Sequence, residues 1–558
     1  MAALSQVTGI SVGCNIPPMA EKPEKPKSFR DPVEPETRAE WLLADCVLRG
    51  ETADVSDFED EAEKDVRAVF LRDLCLNAES RKIDPRGIWL KSAKVIGTLD
   101  LDGVTLGRTL WFSGCIFTDR PFFRDAKGKM LGFINCALPG IAADRLFLEG
   151  SLSLRGATVA GETRVPGAKV GVQVDCSRAT LTNEGGKAFH ADGLDVAGSL
   201  IFRGATVTGE TRLLGAKVGG QVICFEAALV NKGGKALSAD RLEVGESVTF
   251  RNVKITGETR LLGAKVGGQV ECNGAIFRNE GGDAFIADGL GVEGRLFFLD
   301  LKAPVLGEMS LNHAVVDCLI TDSSGWPEAG LLDLDGFRYR TLGIYYPWTT
   351  LLGWINRQIP RGFTPQPYEQ AIKVYREAGH LADAREMGIA KEDAYRKQGG
   401  LSWWHRAWLL FAKGTIAYGY KPWRAGVWIL FAVMLAWMIF NSAYHQGYMR
   451  PAKERVFIHD CFNGKAASDQ CSAWIERKLD WRAEPLRVPE DYPAFNGLMY
   501  SLDTFFPFVD FHQEAYWLPF AGDRFGGFFR LWLWVHIIAG WVLSTMAVAG
   551  LTGLIKKD

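Results

Sequence analysis

The phrase GETRLLGAKVGGQV occurs at 209–222 and again, letter for letter, at 257–270. A close copy, GETRVPGAKVGVQV, occupies 161–174, so the copies follow one another at a constant 48-residue step. A fixed step of this size indicates a repeat protein, in which each unit packs only on its neighbours. Because the phrase alternates apolar and polar residues and has no helical period, it predicts a β-solenoid.

The alternation begins near residue 85, in short units that open with glycine, and the 48-residue unit begins at 141. We expect each 48-residue unit to supply two coils of about 24 residues, given short strands and tight turns. Cysteines recur at the same step and are expected to be small buried residues in a reducing compartment. These are Cys176, Cys224 and Cys272.

Helices are predicted on both sides of the solenoid. Residues 36–48 and 61–76 have helical spacing, so 36–84 is expected to form a helical cap. Residues 364–397 predict two more helices, with Gly379 in the position of a helix C-terminal glycine.

Two segments near the C-terminus are apolar and long enough to cross a bilayer, at 425–444 and 531–555. Residues 402–424 precede the first and carry four tryptophans among basic residues, which is typical of an amphipathic helix at the membrane interface. The first residues show no charged segment followed by an apolar block, so we expect no cleaved leader.

The distribution of Lys and Arg favours both chain ends on the inner side of the membrane. Residues 445–530 would then lie outside, in an oxidising compartment. Cys461 and Cys471 fall in this segment and are close enough in sequence to form a small disulfide loop.

The segment at 494–523 is too polar and too interrupted by proline to span the membrane, yet its first half is apolar and aromatic. We expect a re-entrant pore helix that turns at Pro507, with Asp510, or less favourably Asp503, forming a carboxylate ring that attracts cations. The alternative is a plain two-span anchor with an interfacial loop. The predicted pore residues are Ser501, Asp503, Thr504, Phe505, Phe506, Pro507, Phe508, Val509 and Asp510.

The net charge is −2, so any attraction for a polyanion must be local. The repeat predicts three basic rows on the solenoid, which could match spaced phosphates. Alternatively, Glu162, Glu210 and Glu258 pair with the second row in a solvated stripe. The first row is Arg155, Arg203 and Arg251; the second is Arg164, Arg212 and Arg260; the third is Lys169, Lys217 and Lys265.

No motif assembles a nucleophile with a base, and no Cys/His group has metal-ligand spacing, so we expect neither an enzyme nor a cofactor or metal site. GLGVEG at 289–294 matches a dinucleotide-binding pattern but aligns with strands in the earlier repeats. His536, in the second apolar segment, is either a proton-sensitive group or a packed core residue.

The segments LDLDGFRYRTLG (332–343) and TPQPYEQAIKVYREAGHLADAREMGIAKEDAYRK (364–397) resemble a bacterial family of pentapeptide-like β-solenoid proteins, many of them labelled membrane-associated oxidoreductases. FNGLMYSLDTFFPFVD (495–510) resembles the pore helix of the two-transmembrane potassium-channel module, but lacks its filter sequence. That resemblance implies four subunits around an axis.

The complete layout is similar to the membrane effectors of the Hailong antiphage defence system. This implies a homotetrameric ion channel in a bacterial inner membrane, with a cytoplasmic crown that binds a single-stranded DNA oligomer made by a partner nucleotidyltransferase. Bound DNA would hold the pore closed, and its loss would cause ion flux and growth arrest. The competing hypotheses are a membrane-anchored scaffold that binds a protein partner and a membrane oxidoreductase, for which no cofactor site is evident.

We therefore divide the chain into a flexible tail (1–35), a helical cap (36–84), a β-solenoid crown (85–345) and a helical adaptor with an interfacial helix (346–424). The C-terminal part comprises a first span (425–444), an extracytoplasmic loop (445–493), a re-entrant pore segment (494–530) and a second span (531–555).

Overall fold

The computed structural model describes residues 32–464, 471–477, 486–522 and 524–552. The chain forms a parallel β-solenoid of about 11 turns, followed by α-helices. It divides into two compact units, Met1–Gly307 and Glu308–Asp558. The predicted tail at 1–35 lies outside the described residues up to position 31.

The strands are mostly short, except for three of 11 residues each, β17, β23 and β29. They are β1 Thr52–Asp54, β2 Asp65–Arg67, β3 Ile88–Lys91, β4 Lys94–Ile96, β5 Leu110–Ser113, β6 Ile116–Phe117, β7 Lys127–Gly128, β8 Leu131–Ile134, β9 Ala137–Leu138, β10 Ile141–Ala142, β11 Phe147–Leu148, β12 Leu152–Ser153, β13 Thr158–Ala160, β14 Thr163–Arg164, β15 Lys169–Val170, β16 Val174–Asp175, β17 Thr180–His190, β18 Asp195–Val196, β19 Leu200–Ile201, β20 Thr206–Arg212, β21 Lys217–Val218, β22 Val222–Ile223, β23 Ala228–Ser238, β24 Glu243–Val244, β25 Val248–Thr249, β26 Lys254–Arg260, β27 Lys265–Val266, β28 Val270–Glu271, β29 Ile276–Ile286, β30 Gly291–Phe298, β31 Leu306–Ser310, β32 Val315–Thr321, β33 Leu332–Asp333, β34 Arg338–Leu342, β35 Met449–Pro451, β36 Trp474–Arg477, β37 Leu486–Pro489 and β38 Trp517–Pro519. The α-helices are α1 Arg38–Arg49, α2 Ala68–Leu76, α3 Trp348–Ile355, α4 Gln366–Glu377, α5 Leu381–Gln398, α6 Trp403–Ile416, α7 Trp423–His445, α8 Glu454–Phe457, α9 Gly497–Phe505 and α10 Arg524–Leu551.

The coils of the repeat differ in length. Lys169 pairs with Asp195, and Asp195 pairs with Lys217, so a longer coil is followed by a shorter one. The next coil, from Lys217 to its partner Glu243, is again a longer one. The 48-residue unit is therefore two unequal coils, whereas we expected two of the same length.

The longer coils owe their extra length to excursions at 183–186, 231–234 and 279–282. The strand register shifts across the first of them, between residues 182 and 187. The side chain of Asn183 closes this excursion by donating to the carbonyl of Lys187 at 2.9 Å, and the other two repeat the contact. In each excursion the third residue is a glycine with φ between 68° and 74°, a conformation that other residues rarely adopt.

The core of the solenoid alternates large and small side chains from coil to coil. Burial raises the pKa of Cys224 to about 12, so this cysteine is a neutral thiol at physiological pH. A phenylalanine occupies the same place on the coils above and below Cys224, so each small side chain packs between two large ones. The column runs Leu154, Cys176, Phe202, Cys224, Phe250, Cys272 and Phe298, and every member is buried.

The N-terminal cap contains strands as well as helices. β1 pairs with β3 and β2 pairs with β4, all in parallel, so the cap extends the solenoid sheets. The helix expected over 61–76 is interrupted: Glu61–Lys64 is a short 3-10 helix, 65–67 joins the ladder, and the α-helix begins at Ala68. Glu40 is fully buried and accepts hydrogen bonds from the backbone and guanidinium of Arg67, which ties α1 to β2.

The second unit begins with short parallel ladders and continues into helices. β31 pairs with β33, and β32 pairs with β34. The two helices predicted over 364–397 are α4 and α5, with Gly379 between them at φ 79°. GLGVEG ends inside β30 of the first unit, which confirms that it belongs to a solenoid strand.

Two helices, Trp423–His445 and Phe525–Gly550, are long and apolar enough to cross a membrane. The first agrees with the predicted span at 425–444. α10 begins at Arg524, before the predicted start at 531, so the end of the segment assigned to the pore loop is helical. Both helices have exposed faces rich in Trp, Phe, Leu and Ile, which suits contact with lipid or with other copies of the chain.

Candidate functional site

α9 is a short helix with defined ends. The side chain of Asn496 caps it by accepting from the backbone N–H groups of Leu498 and Met499, both at 3.1 Å. Phe506 then adopts an extended conformation, and Pro507 follows, so the chain leaves the helix at the turn that the sequence predicts.

The C-terminal half of α9 lies beside the middle of both long helices. Ser501 donates from its hydroxyl to the carbonyl of Val433 at 3.0 Å, and Val433 is next to the central residue of α7. The Nε2 atom of His536, near the centre of α10, lies 3.0 Å from the carbonyl oxygen of Ser501. A carbonyl can only accept, so Nε2 carries the proton, and His536 is a packed residue that anchors α9.

Gly540 lets α10 approach the end of α9. A Cβ atom at this position would lie 2.0 Å from the carbonyl oxygen of Phe505, which no side chain tolerates. Phe505 is fully buried and packs with Val433 and Leu543. The three helices therefore form one packed cluster around the end of α9.

Asp503 holds the loop that follows α9. Its carboxylate is largely buried and accepts from the backbone N–H groups of Phe511 at 2.7 Å and Glu514 at 2.8 Å. Both oxygens are thereby used to fold the chain back on the helix. Within one chain, the contacts of Asp503 assign it to loop structure, whereas the carboxylate of Asp510 is exposed.

Asp510 and His512 form an exposed pair at the tip of the same loop. Asp510 accepts from the backbone N–H of His512 at 2.7 Å, and its Oδ1 lies 2.6 Å from the imidazole Nδ1. These hydrogen bonds lower the pKa of Asp510 and raise that of His512. Phe508, beside them, is 72% exposed. Of the remaining predicted pore residues, Ser501, Thr504 and Phe505 lie in α9 and are buried. Phe506, Pro507 and Val509 lie in the loop and are half-buried or exposed.

The first basic row occupies one corner of the solenoid, where each coil turns from one sheet to the other. Its three arginines alternate with other residues, because Ser177 lies between Arg155 and Arg203, and Phe225 between Arg203 and Arg251. Successive arginines are therefore about 10 Å apart, twice the strand spacing. Within the described part of the chain, none of the three forms a salt bridge. The guanidinium of Arg203 lies 5.8 Å from the ring centroid of Phe225.

The second basic row is paired with acids. Arg164, Arg212 and Arg260 each bind an aspartate on the preceding coil, at distances of 2.7, 2.8 and 3.0 Å. Contacts to Glu162, Glu210 and Glu258 are longer, at 3.9, 3.9 and 3.2 Å. This geometry favours the salt-bridge stripe over ligand binding, with Asp144, Asp192 and Asp240 as the main partners.

The third basic row alternates with carboxylates. Asp195 lies between Lys169 and Lys217, and Glu243 lies between Lys217 and Lys265. The ammonium group of Lys217 is 3.4 Å from Glu243. The lysines thus belong to a column of mixed charge, and the first row is the least compensated of the three.

The adaptor is joined to the first long helix at an elbow, residues 417–422. Asp393 of α5 accepts from Lys413 at 2.5 Å and from the hydroxyl of Tyr418 at 2.8 Å. Lys421 pairs with Glu386 at 2.6 Å. Of the helix expected over 402–424, α6 covers Trp403–Ile416 and ends where Ala417 and Tyr418 take left-handed conformations; its position at a membrane interface stays a prediction.

Cys461 and Cys471 form a disulfide in the segment between the long helices. β35 pairs with β38 and β36 pairs with β37, both antiparallel, so this segment has structure of its own. The eight other described cysteines are free and buried.

Comparison with protein-family models, with curated proteins and with solved structures finds no match. The fold and site define a β-solenoid protein with a helical adaptor and two helices that can cross a membrane.

Proposed function

We propose that this protein is a homo-oligomeric ion channel whose solenoid binds an oligonucleotide, and that it acts as an effector of antiphage defence. The observation that carries the proposal is the depth of α9. Ser501 contacts Val433 and His536, which are close to the centres of two helices of membrane-spanning length. An anchor needs no short helix at that depth, whereas a pore lined by re-entrant segments does.

A pore requires several copies, because two long helices and one short helix cannot enclose a conduit. By the resemblance to the potassium-channel module, we propose four copies around an axis in a bacterial inner membrane, with both chain ends cytoplasmic. Asp510 would then form a carboxylate ring. The C-terminal end of α9, where the helix dipole is negative, would also favour cations.

The first basic row is the proposed ligand site. Its arginines have no acidic partner among the described residues, and Phe225 offers a face on which a base can stack between Arg203 and Arg251. The ligand class is a single-stranded oligonucleotide, supplied by a partner nucleotidyltransferase as the resemblance implies. Release of the ligand opens the pore if the ligand binds the closed state better.

Conductance of the purified full-length protein in planar bilayers tests the channel. We expect cation-selective currents, and we expect Asp510→Asn to lower the ratio of cation to anion permeability. Asp491→Asn, an exposed aspartate elsewhere in the segment between the long helices, is the matched control and should leave the ratio unchanged. Absence of current under all conditions would refute the channel and leave the membrane-anchored scaffold.

Binding of fluorescent single-stranded DNA at several salt concentrations tests the ligand site. The double variant Arg203→Glu/Arg251→Glu should bind weakly, and its affinity should depend less steeply on salt. Arg278→Glu reverses an exposed arginine within β29, five residues beyond this corner of its coil, and should bind like the parent. Equal affinity of all three proteins would rule out this corner as the site.

A further inference from the structure

A cavity of about 380 Å³ lies where α5, α6, the elbow and the last turns of α10 meet. It lies at one end of the two long helices, because Gly550 near the end of α10 is in close contact with Pro422 just before α7. In a membrane protein this level corresponds to the lipid headgroups. The volume falls in the range of small-ligand sites.

One side of the cavity is polar. Lys391 lies 2.7 Å from Glu369 and 3.4 Å from Glu392, so its ammonium group has two carboxylate partners and a third proton to donate. Tyr420 also lines this side, and its hydroxyl has no hydrogen-bond partner among the residues that the structure describes.

The rest of the lining is mainly apolar. It includes Trp408 and Ile416 of α6 and Met546 of α10. Trp408 is 55% exposed, so the cavity opens past its ring toward the surface of the helices. A ligand that fits both parts must have a polar head and an apolar chain.

The charges restrict the head group further. Of the charged side chains that line the cavity, Lys391 contributes one positive charge and Glu392 one negative charge, so the polar part presents both signs. A purely anionic head group could accept from Lys391 but would have no group to donate to Glu392. A head group that carries both a phosphate and an ammonium has a donor set for the first and a carboxylate for the second.

We propose that this cavity binds one zwitterionic aminophospholipid from the surrounding membrane, of the phosphatidylethanolamine class. Its phosphate accepts from Lys391 and Tyr420, its ammonium donates to Glu392, and the upper part of one acyl chain lies along Ile416 and Met546. The lipid would then fill the junction between the adaptor and the long helices. This site requires only that α7 and α10 lie in a membrane, and does not depend on ion conduction.

Lipid retained by the full-length protein after extensive detergent washing, measured by mass spectrometry, tests the site. We expect about one phosphatidylethanolamine per chain, and an excess over phosphatidylglycerol relative to the source membrane. Ala412→Trp fills the cavity from a buried position in α6 and should reduce the retained lipid at least fivefold. Leu410→Trp adds the same ring at an exposed position of α6 and should have no effect.

Glu392→Gln provides a second, milder test. This change removes the carboxylate that accepts from the lipid ammonium. When delipidated protein is exposed to equal amounts of the two lipids, the ratio of bound phosphatidylethanolamine to bound phosphatidylglycerol should be at least threefold lower in Glu392→Gln than in the parent. Soluble phosphoethanolamine should not displace the lipid, because it lacks the chain. Equal loss in both tryptophan variants, equal retention of the two lipids by the parent, or displacement by phosphoethanolamine would each overturn the proposal.

Discussion

Replacing Gly540 by alanine should loosen α9 from the long helices. The added methyl carbon would lie 2.0 Å from the carbonyl oxygen of Phe505. An ordinary carbon–oxygen contact is no shorter than about 3.3 Å, so α10 and the end of α9 must separate by about 1 Å. Overpacking of this kind costs about 1–3 kcal/mol.

Gly527 provides the matched control, because it lies in the same helix and a methyl group there would have no neighbour within 4 Å. Alanine favours a helix over glycine by about 1 kcal/mol at either position, so this gain cancels when the two variants are compared. The difference between Gly540→Ala and Gly527→Ala is then the overpacking cost alone.

Hydrogen exchange of the α9 amides, measured on the full-length protein in detergent, reports the local opening equilibrium. A cost of about 1–3 kcal/mol corresponds to exchange that is about 5 to 150 times faster in Gly540→Ala than in Gly527→Ala. Equal exchange rates in residues 498–505 of the two variants would show that α9 does not pack against α10 at this point, and would remove the observation on which the channel proposal depends.

Three further predictions follow from single contacts. Asp503→Asn keeps the shape of the side chain but removes the negative charge to which two backbone N–H groups donate. The amides of the loop after α9 should therefore lose about 1–2 kcal/mol of protection from hydrogen exchange. Unchanged protection would contradict this role of Asp503. The raised pKa of His512 means that its pairing with Asp510 is complete below about pH 6.5 and is lost as the pH rises through the raised value. Cation conductance should therefore increase over that window as Asp510 is released, and His512→Gln should abolish the pH dependence. Glu40→Gln leaves the guanidinium of Arg67 without its buried charge partner, so α1 should lose about 3 kcal/mol of exchange protection; protection equal to that of the parent would show that this pair does not hold the cap.

The repeated phrase was sufficient to predict the solenoid, because identical residues at a fixed step can satisfy each other only by stacking. It did not reveal that the coils are unequal. A signal was present, since the Asn-x-Gly-Gly sequence occurs once in each 48-residue unit, at 183–186, 231–234 and 279–282. A turn motif at half the frequency of the coils indicates that every second coil carries an extra loop.

The partners of the second basic row could not be predicted without the coil length. Arg212 binds Asp192 on the preceding coil, and only the actual length of the shorter coil brings the two together. Sequence reasoning found Glu210 instead, because on a strand the next residue but one shares a face whatever the coil length. For the same reason, the position of Phe225 between Arg203 and Arg251 could not be predicted without the coil length.

A short helix that ends before Pro507 could be predicted from the composition of this segment, but the different contacts of its two aspartates could not. Asp503 binds the backbone groups of Phe511 and Glu514, and this contact exists only because the chain reverses after Pro507. The close approach of Gly540 was likewise invisible, since one glycine in an apolar helix has no distinctive pattern.

The alternation of cysteine and phenylalanine along the solenoid interior sets a rule for how such a rod can change its length. Removing one coil would bring two bulky rings, or two thiols, face to face and would leave either a clash or a void. Removing two coils restores the sequence of neighbours. Genetic insertions and deletions in this region should therefore be tolerated only as whole 48-residue units, and each would alter the height of the rod by about 10 Å.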